Sequence, residues 1–314
     1  MVYATSTFLL RRTAVLGLAF VLAAGLGACA QQPNEPDDGS VEPTDTVEPT
    51  GTPPANYVEG VRVYFTRDER IGASVHYRFA ESDESPQELA VIETLAGPNE
   101  TERGYGFTSA IPAGTRLLRV EVSPDGLNTV DLSGTFDDGG GTFSMSMRLA
   151  QVVCALTQFP DCTGVRFKID GVAVETFSGE GIIISGPLTR GDFEELLPAI
   201  LVESPLPGSA IPGPESGTVV VSGSANVFEA VFRVEIRAAD GTVLAEQRLE
   251  ATSGTGTRGT FEASVPLDLS PNLEGTNGSV VFYEPSPKDG SPTHIITVPI
   301  ILSHERNPLR ASAP

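Results

Sequence analysis

Tryptophan is absent, and the 314 residues hold only three cysteines and three histidines. So few imidazoles and thiols cannot furnish many transition-metal sites. No Cys-x-x-Cys pair is present for dithiol chemistry. Basic charge is scarce too, with 20 Lys plus Arg against 41 Asp plus Glu and a formal charge of −21. That balance excludes a nucleic-acid binder, which needs a basic face to neutralise phosphates. It also excludes docking on an anionic membrane by electrostatics alone. Glycine (33) and proline (25) are plentiful, and the 40% hydrophobic fraction suits folded domains rich in short strands and turns. The length allows two such domains, each with its own core.

Arg11 and Arg12 precede an apolar run, Thr13 to Ala28, which is short and Ala/Gly-rich for a transmembrane span. It reads as the hydrophobic region of a secretory signal. The run ends in Leu26-Gly27-Ala28-Cys29, the pattern of a bacterial lipobox. Lipid on Cys29 would anchor the chain to the membrane without spanning it. The alternative is an ordinary secretory signal cleaved near Ala28 or Ala30. Loss of residues 1–28 removes two arginines and no acid, taking the formal charge from −21 to −23. Residues 29–56 are acidic and rich in Pro and Thr, without a lysine or arginine. This composition cannot offset chain entropy by burial, so the sequence predicts a disordered tether. As a flexible coil it reaches roughly 30 Å.

Alternating runs at Val61–Phe65 and Ala73–Phe79 predict two strands. Ser85-Pro86-Gln87-Glu88 supplies a capping box with Pro at the first helical position. The helix it opens carries Leu89, Ile92, Leu95 and Ala96 on one face and stops at Gly97-Pro98. Strands follow near 116–122 and 128–132. A longer helix is expected from Thr142 to Gln158, apolar nearly all round through Phe143, Met147, Leu149, Val152, Val153, Leu156 and Phe159. Two more strands lie near 165–169 and 172–176. This order predicts an α+β domain over residues 57–181, an antiparallel sheet carrying two helices. Residues 182–203 read as a connector with a short helix. Beyond it, six alternating runs within 204–303 predict an all-β immunoglobulin-like sandwich. Residues 304–314 form a tail.

VRVYFTRD, LAGPNE, AIPAGTRLLRVEV, VDLSGTF, GGTFSMSMRLAQVVCALTQFP and GVRFKIDG, within residues 58–180, resemble the GerMN domain of bacterial sporulation and germination lipoproteins. SPLPGSAI, VSGSANVFEAVFRVEI, TSGTGTRGTFEASVPL and VVFYEPSPKDGSP, within residues 204–302, resemble Gmad2, an immunoglobulin-like domain linked with spore germination. The resemblance implies a cell-envelope lipoprotein that assembles or binds and catalyses nothing. It implies no cofactor.

The residues offer few rivals to that reading. His76, His294 and His304 have no nearby nucleophile motif, so no catalytic residue is named. Asp137-Asp138 before the long helix oppose anion binding there, complement the helix dipole, and match no EF-hand spacing. Arg190-Gly191-Asp192 spells an adhesion tripeptide in the connector and reads as structural. Outside the membrane, Cys154 and Cys162 predict a disulfide, with two buried free thiols as the alternative. Thr255, Thr257 and Arg258, in a Gly-rich strand connection, and Lys288, in the turn 284–292, are the candidate binding-loop residues. Arg258 has a second reading, as a brace for neighbouring glutamates. The expected partners are the membrane, through Cys29, and an envelope protein or peptidoglycan. A wall hydrolase or a ligand sensor is the alternative function.

Overall fold

The computed structural model describes residues 58–79, 84–177, 181–212 and 217–305. The expected signal, Cys29, the tether and the tail beyond Glu305 lie outside the described residues. Alternation in β1 (Val58–Arg67) and β2 (Arg70–Phe79) builds an antiparallel hairpin. Asp68 and Glu69 close it, both left-handed (φ 50° and 59°). That is the backbone a two-residue turn needs to match strand twist.

The expected capping box forms at α1 (Pro86–Ala96): the Glu88 amide donates to Ser85 Oγ, and the Ser85 amide to Glu88 Oε2. The buried face, however, is Leu89, Ala90, Val91 and Thr94, while Ile92 and Leu95 are half-buried and Ala96 is exposed. Compact side chains suit close packing of this helix on its neighbours. A second, unforeseen capping box opens the short α2 (Glu100–Gly104), where Asn99 and Glu102 exchange hydrogen bonds.

β3 (Leu117–Val122) and β4 (Leu127–Leu132) pair antiparallel. Then α3 (Thr142–Leu156) carries the chain to β5 (Gly164–Ile169), which therefore lies parallel to β4. With β6 (Val172–Ala173) the sheet order is β3-β4-β5-β6, mainly antiparallel with the one parallel pair. α3 is buried from Met147 through Leu156 as its composition predicts, but Phe143 stays exposed. Its two buried polar side chains serve the loops around it. Gln151 takes the Ala110 amide and donates to the Tyr64 carbonyl. Arg148 donates to the carbonyls of Ala110, Phe136, Asp138 and Gly139, so the 137–141 loop is wrapped around a guanidinium.

β7 (Thr176–Phe177) and β8 (Ile182–Ile183) form a small ladder, and Arg190–Leu196 a 3-10 segment. β9 (Ile200–Ser204) then pairs with a strand of the sandwich, so residues 182–203 are not a plain connector. The remaining strands are β10 (Ser209–Pro212), β11 (Gly217–Ala225), β12 (Val231–Ala238), β13 (Val243–Glu250), β14 (Gly259–Leu267), β15 (Thr276–Pro285) and β16 (Pro292–Ser303). They form sheets β10-β16-β15-β12-β13 and β14-β11-β9. Phe232, Phe261 and Phe282 interlock in the core between them, with ring centroids 4.9 and 6.1 Å apart. The chain is thus an α+β domain followed by an immunoglobulin-like sandwich.

β9 belongs to both cores. Ile200 and Val202 are buried in the sandwich core, and Leu201 in that of the first domain. Gly223 is required opposite it, because a Cβ there would lie 2.0 Å from the Leu201 carbonyl oxygen. Glu203, the next residue of the strand, accepts from the Tyr64 hydroxyl and from Arg190 Nη1 (2.8 Å), with Arg62 at 3.7 Å. The Arg190 guanidinium lies over the Tyr64 ring, 5.1 Å from its centroid, and donates to Thr157 Oγ1 and the Cys154 carbonyl. Burial raises the Glu203 pKa, but Arg190 and Tyr64 outweigh it and hold the carboxyl below its usual range. Arg190 thus takes the structural role expected of it.

Arg190→Ala leaves the half-buried Glu203 with the Tyr64 hydroxyl and the Arg62 ion pair at 3.7 Å, and should lower unfolding free energy by about 2–3 kcal/mol, below the full cost of a lone buried charge. The paired change Arg190→Met with Glu203→Leu should cost far less. Urea titrations of the three chains check this; a loss below about 1 kcal/mol in the single variant would refute the role given to Arg190.

Candidate functional site

Three segments meet at one end of the sandwich: 226–230 before β12, 251–258 before β14, and 284–294, the turn between β15 and β16 with the strand ends that flank it. Antiparallel pairing brings them together, since Val231 lies opposite Glu250, and Pro285 opposite Pro292. Glu284 is buried between two of the loops. Its Oε1 accepts the Phe228 amide (2.8 Å), and its Oε2 faces His294 Nδ1 (2.7 Å). The Glu229 amide donates to Thr255 Oγ1 (2.9 Å), and the Thr255 amide to the Val227 carbonyl (2.9 Å). The Gly256 amide reaches Asn226 Oδ1.

This end also concentrates strain. Glu229, Ala230, Thr255 and His294 are left-handed, with φ between 50° and 60°. Each such residue costs on the order of 1–2 kcal/mol, and such strain gathers at functional sites. Phe228, at the tip, is 50% exposed. Thr255, Thr257 and Lys288 are exposed around it, Lys288 within a tight Ser286–Ser291 turn. What these loops offer a partner is one aromatic ring, two hydroxyls and an ammonium on a pinned backbone.

Arg258 does not join them. Its Nε donates to Glu194 (2.9 Å), its Nη1 to the Ser224 carbonyl, and its Nη2 to the Pro198 carbonyl (2.7 Å). It braces the junction of the two domains, the second of its two sequence readings. Burial raises the Glu194 pKa, but Arg258 and Asn226 overcome it and hold the carboxyl low. The loop glycines serve the chain itself as well: a Cβ on Gly254 would lie 2.4 Å from the Ala230 amide nitrogen.

The expected disulfide is not formed. Cys154 lies on the packed face of α3, fully buried, and burial pushes its thiol pKa up to about 11. Cys162 is also free, its Sγ directed at the Gly164 carbonyl (3.6 Å). Asp192 caps the 3-10 segment by accepting from the Thr189 amide and hydroxyl. His304 pairs with Glu274 in the open. Among the described residues no group of three or more His, Cys, Asp and Glu is arranged to hold a metal ion.

One cluster was invisible in the sequence. His76, on β2, donates from Nδ1 to Glu93 of α1 (2.7 Å) and from Nε2 to Glu102 of α2 (3.0 Å). Glu102 also accepts from Ser74, and Glu93 forms an ion pair with Arg78 (3.2 Å). Burial lowers the His76 pKa, yet the two carboxylates outweigh it and raise the pKa to about 9. The cluster pins both short helices to the hairpin. The spacing of His76, Glu93 and Glu102 follows no motif; only the capping box at Asn99 hinted that Glu102 was fixed.

The folded-state pKa of His76 lies above its unfolded value of about 6.5. Its stabilisation is therefore full below about pH 6.5, falls between about 6.5 and 9, and is spent above about 9. The total is on the order of 3 kcal/mol. His76→Gln should flatten the slope of stability against pH in that interval, read by urea melts at stepped pH. An unchanged slope would refute the assignment.

Residues 62–175 match the Germane family, described as sporulation and spore germination. Residues 199–291 match Gmad2, the immunoglobulin-like domain of bacterial spore germination. Among solved structures, the first GerMN domain of the Bacillus subtilis sporulation protein GerM is 23% identical (TM-score 0.36), covering 43% of this chain and 99% of that one. The tandem GerMN domains of the same protein are 16% identical (TM-score 0.38), covering 69% of this chain and 63% of that one. A Clostridium perfringens chain described as a lipoprotein is 19% identical (TM-score 0.31), covering 43% and 89%. Comparison with curated proteins finds no match. The Gmad2 match begins at residue 199 and so takes β9 into the sandwich, as the sheet pairing does. The chain carries a sporulation- and germination-type Germane domain followed directly by an immunoglobulin-like Gmad2 domain.

Proposed function

We propose that this chain is an extracytoplasmic binding and assembly protein, held at a bacterial membrane by lipid on Cys29, that engages a protein of the cell envelope without catalysis. The observation that carries this reading is the loop end of the sandwich. Strained backbone, a half-exposed Phe228 and exposed Thr255, Thr257 and Lys288 are displayed there on a rigid frame. Aromatic anchors on pinned loops are the parts of a recognition surface.

Two rival readings find less support. A wall hydrolase uses paired carboxylates flanking an open cleft. Here Glu93 and Glu102, which His76 brings together, flank no cleft of that kind: Glu102 is buried, Glu93 half-buried, and both are engaged by His76, Arg78, Ser74 and Asn99. A small-molecule sensor favours a pocket of about 300 Å³ or more. The apolar crevice between the hairpin and the sandwich, lined by Ile71, Phe107, Ile200 and Val298, has a volume of about 160 Å³, and the larger hollow of about 780 Å³ at the start of α3 is an open groove with acidic side chains in its walls. The formal charge of −21 favours a basic protein over anionic wall polymers.

Cys29→Ala should move the protein from the membrane to the soluble fraction; retention at the membrane would overturn the anchor. A photo-reactive residue at Phe228 in intact cells should yield adducts with an envelope protein. Failure to do so, together with turnover of peptidoglycan by the purified chain, would overturn the binding reading.

A further inference from the structure

The first domain carries its own open groove, between the start of α3 and residues 182–196, with a volume of about 780 Å³. Its walls hold two large apolar side chains that the fold leaves in water. Phe143 is 49% exposed although the rest of α3 is so thoroughly buried, and Ile183, on the two-residue strand β8, is 75% exposed. Leu149 and Leu188 lie in the same lining. The charge in that lining has one sign. Asp192, Glu194 and Glu195 belong to it, and no lysine or arginine does. Two arginines that touch residues of this segment are spent elsewhere: Arg190 turns to Glu203 and Tyr64, and Arg258 takes Glu194. Asp192 and Glu195 remain exposed and unbalanced by a cation in the groove.

The geometry points to this groove as a docking site for a basic segment of an envelope protein, with an apolar side chain seated between Phe143 and Ile183 and a lysine or arginine beside Asp192 and Glu195. The inference rests on the binding reading above and adds the chemistry of the partner. Charge complementarity selects the occupant. A second copy of this chain, at −21, or an anionic wall polymer would bring like charge to the acidic rim. A cationic segment is drawn by that charge and held by the apolar walls.

The test uses the full chain in cells, with a photo-reactive residue at Ile183 or, separately, at Phe228, and adducts mapped to peptides. The expected result is an Ile183 adduct to a lysine- or arginine-bearing segment of another protein. Its yield should fall at least about fivefold with Glu195→Lys, and likewise with Phe143→Ser. Both positions are exposed, and an unchanged melting temperature verifies that each variant folds. Adducts to a second copy, to glycan or to an acidic segment would overturn the inference, as would a yield indifferent to both substitutions. Adducts from Phe228 with none from Ile183 would overturn the groove and leave the binding reading standing; none from either position would overturn the groove and, together with turnover of peptidoglycan, the binding reading as well.

Discussion

A single strand with two sides holds this molecule together. β9 gives Ile200 and Val202 to one core and Leu201 to the other, and its Glu203 is the acceptor on which Tyr64 and Arg190 converge. A strand buried on both faces cannot shift register without exposing one set of side chains. The 3-10 segment before it reinforces the constraint from both ends, Arg190 reaching back to the first domain and Glu194 reaching forward to Arg258 of the second. Buried ion pairs are poor sources of net stability, but their geometry can fix one arrangement among several. Here they tie the segment between the two domains to both of them.

The same economy explains how the polar residues are used. The charged groups that looked available in the sequence are mostly occupied within the fold. Arg258 braces the junction, Arg148 gathers the 137–141 loop, and Asp192 caps its own segment. Glycines that looked like an open door to a ligand are seats for the chain's own backbone, as Gly254 is for Ala230. What the loop end and the α3 groove leave facing water is a few apolar side chains, Phe228, Phe143 and Ile183, beside loop hydroxyls, Lys288 and the carboxylates of Asp192 and Glu195. Such a surface recognises by shape and hydrophobic contact, with charge adding selectivity.

Much of the fold was legible because its causes are local. The Ser85 capping box, the apolar α3 and the six alternating runs of the sandwich all declare themselves within a few residues. β9 did not, because a strand buried on both faces has no alternation and reads as a loose apolar stretch. The parallel pairing of β4 and β5 is a consequence of where α3 crosses, which spacing alone does not state. The site was less legible still. Thr255, Thr257 and Lys288 were found from loop composition, yet Phe228 gave no signal as an apolar residue between alternating runs. The left-handed backbone at Glu229 and Ala230 occurs in residue types that do not advertise it. His76 drew no attention because its partners come from two helices far along the chain, and the cysteine pair misled because spacing says nothing of which way each thiol faces.

The shared strand also limits how such a chain can be taken apart by evolution. The two domains look like separable modules, but a recombination joint placed just after Ser204 would strip the sandwich of an edge strand and leave Gly223 and its neighbours without their partner. A joint placed just before Ile200 would keep the sandwich whole and rob the first core of Leu201. Neither cut leaves both modules of this chain intact, so the junction is its least divisible part.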